Sequence, residues 1–316
     1  MNYKTIIIGG IVAFAIFALC FLAIDYVGSP DEEKKPEVEY AVIATQESNP
    51  ELISIARKQG WIAADDTEFT TVQASEVKDL GTAFQGCQLV QLDDLRFFVG
   101  VEEIHEGAFV HADKLTSITI PATVITIDYG VLADCPALKQ ISVDEANTHF
   151  DSREGCNAIV CTWKGSLMIV AGCQNTVIPK NVRYIAPQAF AGCQNLSNLQ
   201  LPEKMDEIGV RAFAGCTALQ TIDIPQGVRF VEDSTFMGCT ALTTVNLPKS
   251  IERLRKDAFN GCTSLTTIKC PKKYPPIIED AFDKYQATVY VPKGLQNRYY
   301  ADRNWKDFPK VEEMPE

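Results

Sequence analysis

The phrase Ala-Phe-x-Gly-Cys-x-x-Leu-x-x-Ile-x-Ile-Pro, cleanest from Ala212 to Pro225, sets a 23-residue beat between Ala189 and Cys270. Phe190, Phe213, Phe236 and Phe259 mark that beat, and Cys193, Cys216, Cys239 and Cys262 trail each of them. A fixed period of about 20–50 residues means that each unit buries its apolar side only against its neighbours, which makes a solenoid. Within a unit, Leu-x-x-Ile-x-Ile has the period-2 alternation of a short strand, stopped by proline. Equivalent strands run the same way, so stacking pairs them into a parallel sheet with Leu219, Ile222 and Ile224 pointing inward. Ser117, Thr119, Asn198, Gln200, Thr221, Asp223, Thr244, Asn246, Thr267 and Lys269 are the outward alternates. The next segment, with Val228 and Val231 or Ile251 and Leu254, turns the chain and buries a second edge. Ala-Phe-x-Gly-Cys then closes the coil as a tight helical turn plugged by Phe.

Eleven cysteines are many for 316 residues, but their placement decides how they read. Cys135 holds the repeat position in an earlier unit, and Ala112 fills it one period before that. A place taken by Cys or Ala needs a small apolar group, so the row reads as stacked, buried thiols. No C-x-x-C and no paired zinc spacing is present, so neither redox nor metal chemistry is expected.

Around the repeats the chain changes character several times. Residues 1–4 read as a cytoplasmic N-terminus. Thr5 to Ile24 run 20 residues without a charge, long enough to span a bilayer, between Lys4 and Asp25. The expectation is an uncleaved signal anchor, with an atypical cleaved signal as the alternative and the repeats outside the cytoplasm. Residues 25–39 form a solvated linker. Residues 40–82 are expected to make a small helical cap. Its first helix starts at Asn49-Pro50-Glu51 and stops at Gly60, and a second runs from Thr71 to Leu80. Asp65 and Glu76 match the ends of a calcium loop, but Phe69 and Thr70 replace an oxygen ligand and the turn glycine, which leaves a degenerate loop. The repeats extend over 83–282, interrupted at 144–178 by an insert that reads as a hairpin turning near Lys164-Gly165. Cys156 with Cys173 is the candidate disulfide there, conditional on export. Residues 283–316 read as a C-terminal cap, with an edge strand at Thr288–Val291 and a helix from Leu295 to Trp305.

These units resemble the BspA-type leucine-rich repeats of bacterial surface proteins over roughly residues 81–308. The units at Ala189, Ala212 and Ala258 carry the likeness most specifically. The insert with Asp151-Ser152-Arg153 and Ala171-Gly172-Cys173, and the ending Tyr290-Val291-Pro292 to Trp305-Lys306-Asp307-Phe308, add to it. The resemblance implies an α/β leucine-rich-repeat solenoid, exported, serving adhesion or the binding of host, neighbouring-cell or envelope proteins. It implies no catalytic residue and no cofactor.

A formal net charge of −12 argues against nucleic acid as a partner. His105, His111 and His149 lie in different units, and no nucleophile elbow, zincin motif or phosphate loop accompanies them, so no enzyme is expected. Asn198, Gln200, Thr221, Asp223, Thr244, Asn246, Thr267 and Lys269 are therefore the candidate protein-binding face. The competing expectation is an envelope scaffold or spacer with no specific ligand.

Overall fold

The computed structural model describes residues 39–314. The expected anchor at 5–24, the residues before it and nearly all of the linker lie outside the described residues. Among the described residues no helix is long and apolar enough to cross a membrane.

Each coil has three hydrogen-bonded sides. The expected strands form a first ribbon in two blocks: Gln91–Leu92, Ser117–Ile120 and Gln140–Val143, then Thr221–Asp223, Thr244–Asn246, Thr267–Lys269, Thr288–Val291 and Lys310–Glu313. All these neighbours pair in parallel. The segment expected only to turn and bury an edge is a second parallel ribbon, built from two-residue strands such as Phe230–Val231, Arg253–Leu254 and Ile277–Ile278.

The Ala-Phe-x-Gly-Cys phrase makes the third side, and it is not helical. Consecutive turns pass through the left-handed region at Gly215 (φ 74°) and its equivalents, which lets the Cys216 N–H reach the Phe213 carbonyl at 3.2 Å. His111 and Asp134 hold the same conformation in the early units, at φ 61° and 56°. Between coils, the N–H groups of Phe213, Phe236 and Phe259 donate to Thr235, Ala258 and Ala281 at 2.8–2.9 Å. In the regular coils from Thr221 onward each side thus bonds its backbone to the next coil.

The core is a column. Phe190, Phe213, Phe236, Phe259 and Phe282 stack with centroids 5.2–5.5 Å apart and planes within 14°. Leu132 fills the equivalent place in the coil that lacks Phe. Beside the column the thiols of Cys216, Cys239 and Cys262 each donate to the Phe carbonyl of the preceding coil at 3.2 Å. Gly172 abuts this column, since a Cβ built there would lie 2.1 Å from the Phe190 ring. Gly172→Ala is therefore expected to lower stability by about 2–3 kcal/mol through overpacking. An unchanged thermal midpoint would show that the ring can give way.

The insert forms the expected hairpin. Ala158–Trp163 and Ser166–Gly172 pair antiparallel, joined by Lys164 and Gly165 at φ 48° and 74°, as a two-residue turn requires. Ser166–Gly172 then pairs in parallel with Val182–Ile185, which threads the hairpin into the second ribbon. Cys156 and Cys173, the candidate pair, carry free thiols here. The Cys156 thiol donates to the Ala158 carbonyl at 3.7 Å and the Cys173 thiol to that of Asn157 at 3.4 Å.

At the N-terminal end, helix α1 (Pro50–Gln59) is capped by the Asn49 side chain and stopped by Gly60 at φ 73°. Helix α2 is shorter than expected, Thr71–Glu76, because the chain straightens to bury both Val77 and Leu80. The calcium-loop reading fails for a related reason. Glu68–Thr70 is a strand paired with Val42–Thr45, and Phe69 is fully buried against Trp61 and Phe98.

The C-terminal segment also departs from expectation. Helix α3 covers only Gln296–Tyr300, since the chain turns back to bury Trp305, whose indole N–H donates to the Pro276 carbonyl at 2.7 Å. Thr288–Val291 is not an edge, because Lys310–Glu313 pairs along it.

Candidate binding face

Register places the outward residues of the first ribbon in two rows. Thr221, Thr244, Thr267 and Thr288 are direct neighbours in successive strands, and so are Asp223, Asn246, Lys269 and Tyr290. Behind them Ile222, Val245, Ile268 and Val289 are buried, so the pleat sends the polar alternates outward. Thr221, Asp223 and Lys269 are exposed, whereas Thr244, Asn246 and Thr267 are half-buried by their neighbours. The Asn246 amide donates to the Asp223 carboxylate across the strands. Six of the eight expected face residues are thereby brought onto one sheet. Asn198 and Gln200 are exposed, but their segment is not a strand and continues the face as an unpaired stretch.

The N-terminal block of the same ribbon is covered in part, at Ser117 and Thr119, while Gln91 and Gln140 stay exposed. A 3₁₀ turn at Asp93–Phe97 crosses it, and the Asp93 carboxylate accepts from Ser117 at 2.9 Å and Thr119 at 3.3 Å. Ser117, expected to point into solvent, is only 7% exposed. Two residues escaped sequence reading. Thr288 and Tyr290 extend the rows, yet they follow Thr267 and Lys269 by 21 residues instead of 23, which hid the match.

The second ribbon offers a contrast, because its outward charges neutralise one another. Arg183 pairs with Asp206 and Arg229 with Glu252, both at 2.7 Å, and Arg255 meets Glu232 at 3.1 Å. The guanidinium groups of Arg229 and Arg255 also lie 5.4 and 5.2 Å from the centre of the Phe230 ring.

Nucleophilic chemistry finds no support in these surroundings. Burial pushes the Cys135, Cys161 and Cys262 thiols up to about 12, away from the thiolate that attacks. His105 sits between Glu103 at 3.5 Å and Asp128 at 3.4 Å on the surface, and His149 contacts Thr148 at 3.1 Å.

The family model for the BspA type leucine rich repeat region matches residues 67–157 and 170–288, in six copies. The chain belongs to the BspA-type leucine-rich-repeat family. Among curated proteins, none matches it. Of solved structures, it is similar to a leucine rich cell surface protein from Faecalibacterium prausnitzii A2-165, with 22% identity and a TM-score of 0.50. That match covers 75% of this chain and 63% of the other, so this BspA-type chain spans less than two thirds of that protein. The pneumococcal vaccine antigen PcpA is similar at 18% identity and a TM-score of 0.50, over 72% of this chain and 67% of PcpA. At such identities the likeness establishes the fold alone.

Proposed function

We propose that this chain is a non-catalytic, membrane-anchored binding protein whose BspA-type repeats lie outside the cytoplasm, facing the periplasm or the cell surface. Its open first-ribbon face docks a protein of the host, a neighbouring cell or the envelope. The contrast between the two ribbons carries the reading. The second ribbon consumes its charges in coil-to-coil ion pairs, whereas the first-ribbon strands from Thr221 to Lys269 present Thr, Asp, Asn and Lys in registered rows with no ion pair among the described residues. A solenoid extends such a surface over many coils, which suits adhesion to a broad protein surface. The uncharged stretch at 5–24 supplies the tether, and its flanking charges favour the repeats outside.

Affinity capture from envelope and host extracts tests this, with the full-length chain compared against Thr221→Lys/Thr244→Lys. A partner enriched by the native chain and lost with the variant is the expected result. Equal enrichment by both chains would move recognition off this face. No enrichment by either would leave the scaffold reading standing.

A further inference from the structure

Six lysines fall on one corner of the solenoid, each one or two residues after the proline that ends a first-ribbon segment. They are Lys180, Lys204, Lys249, Lys272, Lys273 and Lys293. Successive corners meet in register, as the Gln226 side chain accepts from the Lys249 N–H of the next coil at 3.1 Å. Six coils at about 4.8 Å per step make a ridge on the order of 24 Å long. Five of the six side chains are exposed, while Lys272 turns inward to the Ile251 carbonyl. Unlike the arginines of the second ribbon, none of the six forms an ion pair among the described residues. Glu203 and Glu313 neighbour this corner, Asp206 pairs with Arg183 at one end and Asp302 lines the hollow at the other, and the lysines still leave the corner net positive in a chain of charge −12.

Two surface hollows lie at the ends of the ridge. One, of about 370 Å³, is walled by Lys180, Lys204 and Arg183 together with Asn181 and the Ser166 hydroxyl of the insert hairpin. The other, of about 650 Å³, is walled by Tyr274, Asn297, Arg298 and Asp302. Tyr274 is 62% exposed, with the Arg298 guanidinium 4.5 Å and the Lys273 ammonium 5.6 Å from its ring centre.

We propose that this ridge binds a linear anionic polysaccharide laid along the coil stack. Exposed ammonium groups on five of six successive coils, the Pro225 coil carrying Gln226 instead, match a polymer that carries one carboxylate or sulfate per repeating unit. Lysine supplies compact point charges that meet a carboxylate or sulfate without a fixed geometry. Asn181 and Asn297 can exchange hydrogen bonds with sugar hydroxyls, and the Tyr274 ring gives a pyranose an apolar face. A single-stranded nucleic acid calls for a series of aromatic platforms, and this corner exposes one. An acidic peptide would satisfy the lysines but leaves Tyr274 and both amides without a role. This surface is separate from the first-ribbon face.

The test is a titration of the full-length chain with chondroitin sulfate and polygalacturonate, against dextran, polyglutamate and oligothymidylate. Both charged glycans are expected to bind, to weaken with added salt, and to outcompete polyglutamate. Lys180→Glu/Lys204→Glu/Lys249→Glu should lower their affinity by about tenfold or more with an unchanged circular dichroism spectrum. Tyr274→Ala should weaken the glycans and leave polyglutamate unaffected. The Thr221→Lys/Thr244→Lys chain should bind both glycans as the native chain does, which separates this outcome from that of the first-ribbon face. Absence of binding, equal affinity for polyglutamate or oligothymidylate, or native affinity in the triple variant would overturn the assignment.

Discussion

Phe236→Ala is expected to lower stability by about 3–5 kcal/mol, among the largest losses any single substitution in this chain can cause. The ring is fully buried and stacks on two others, at 5.4 Å from Phe213 and 5.5 Å from Phe259. Truncation removes both stacking contacts and leaves a hole that the flanking coils cannot close, because three backbone ladders hold their spacing. In a solenoid each coil is stabilised by its neighbours, so the damage spreads to the units on either side. Leu132 already occupies the equivalent place in one coil, so Phe236→Leu should cost much less. Urea denaturation of the three chains measures this, with hydrogen exchange locating the loosened coils. A loss below about 1 kcal/mol for the alanine variant would mean that the column is not what joins the coils.

Alkaline pH should weaken the fold through the thiol row. Burial pushes Cys135, Cys161 and Cys262 up to about 12 and Cys270 to about 11, from an ordinary value of 9.0. The same cause raises Cys193, Cys216 and Cys239 further. The folded state therefore holds protons that the unfolded chain releases near pH 9. The stability that depends on protonated thiols is fully present below that value and is lost as pH rises through 11 to 12. Each buried thiol contributes a slope of about 1.4 kcal/mol per pH unit once its unfolded counterpart has ionised. The urea midpoint should accordingly hold up to about pH 9 and fall steeply between about pH 9 and pH 11. Tyrosines and lysines titrate in the same range, so Cys216→Ala/Cys239→Ala isolates the thiols. Ala112 shows that alanine fits the position, and the variant should have a flatter pH profile. Parallel profiles for the two chains would show that these thiols are not linked to folding.

Much of this architecture was legible because the repeat states it several times. The spacing of Phe, Cys and the alternating Leu and Ile residues predicted the column, the thiol row and the first ribbon. Asn49, Pro50 and Gly60 marked both ends of α1. What stayed hidden has physical reasons. A strand such as Phe230–Val231 is too short to show alternation, so the second ribbon had no signature. Asp93 reaches Ser117 from 24 positions away, and nothing local announces that cover. Thr288 and Tyr290 slipped by two residues out of the count. The lysine corner disappeared into a net charge of −12, because composition averages over surfaces that the fold keeps apart. The outward face itself was readable only as alternation. Its openness in one block and the cover over Ser117 in the other came from the three-dimensional neighbours.

The proposed function divides the molecule into an interior of conspicuous repeated residues and a recognition face of inconspicuous ones. A photo-crosslinking amino acid placed in the full-length chain at Thr244 on the first ribbon, or at Arg253 on the second, tests that division directly. After irradiation with envelope and host extracts, a discrete protein adduct is predicted from position 244 and none from position 253. An adduct from position 253 alone would contradict the assignment of the first ribbon as the docking face.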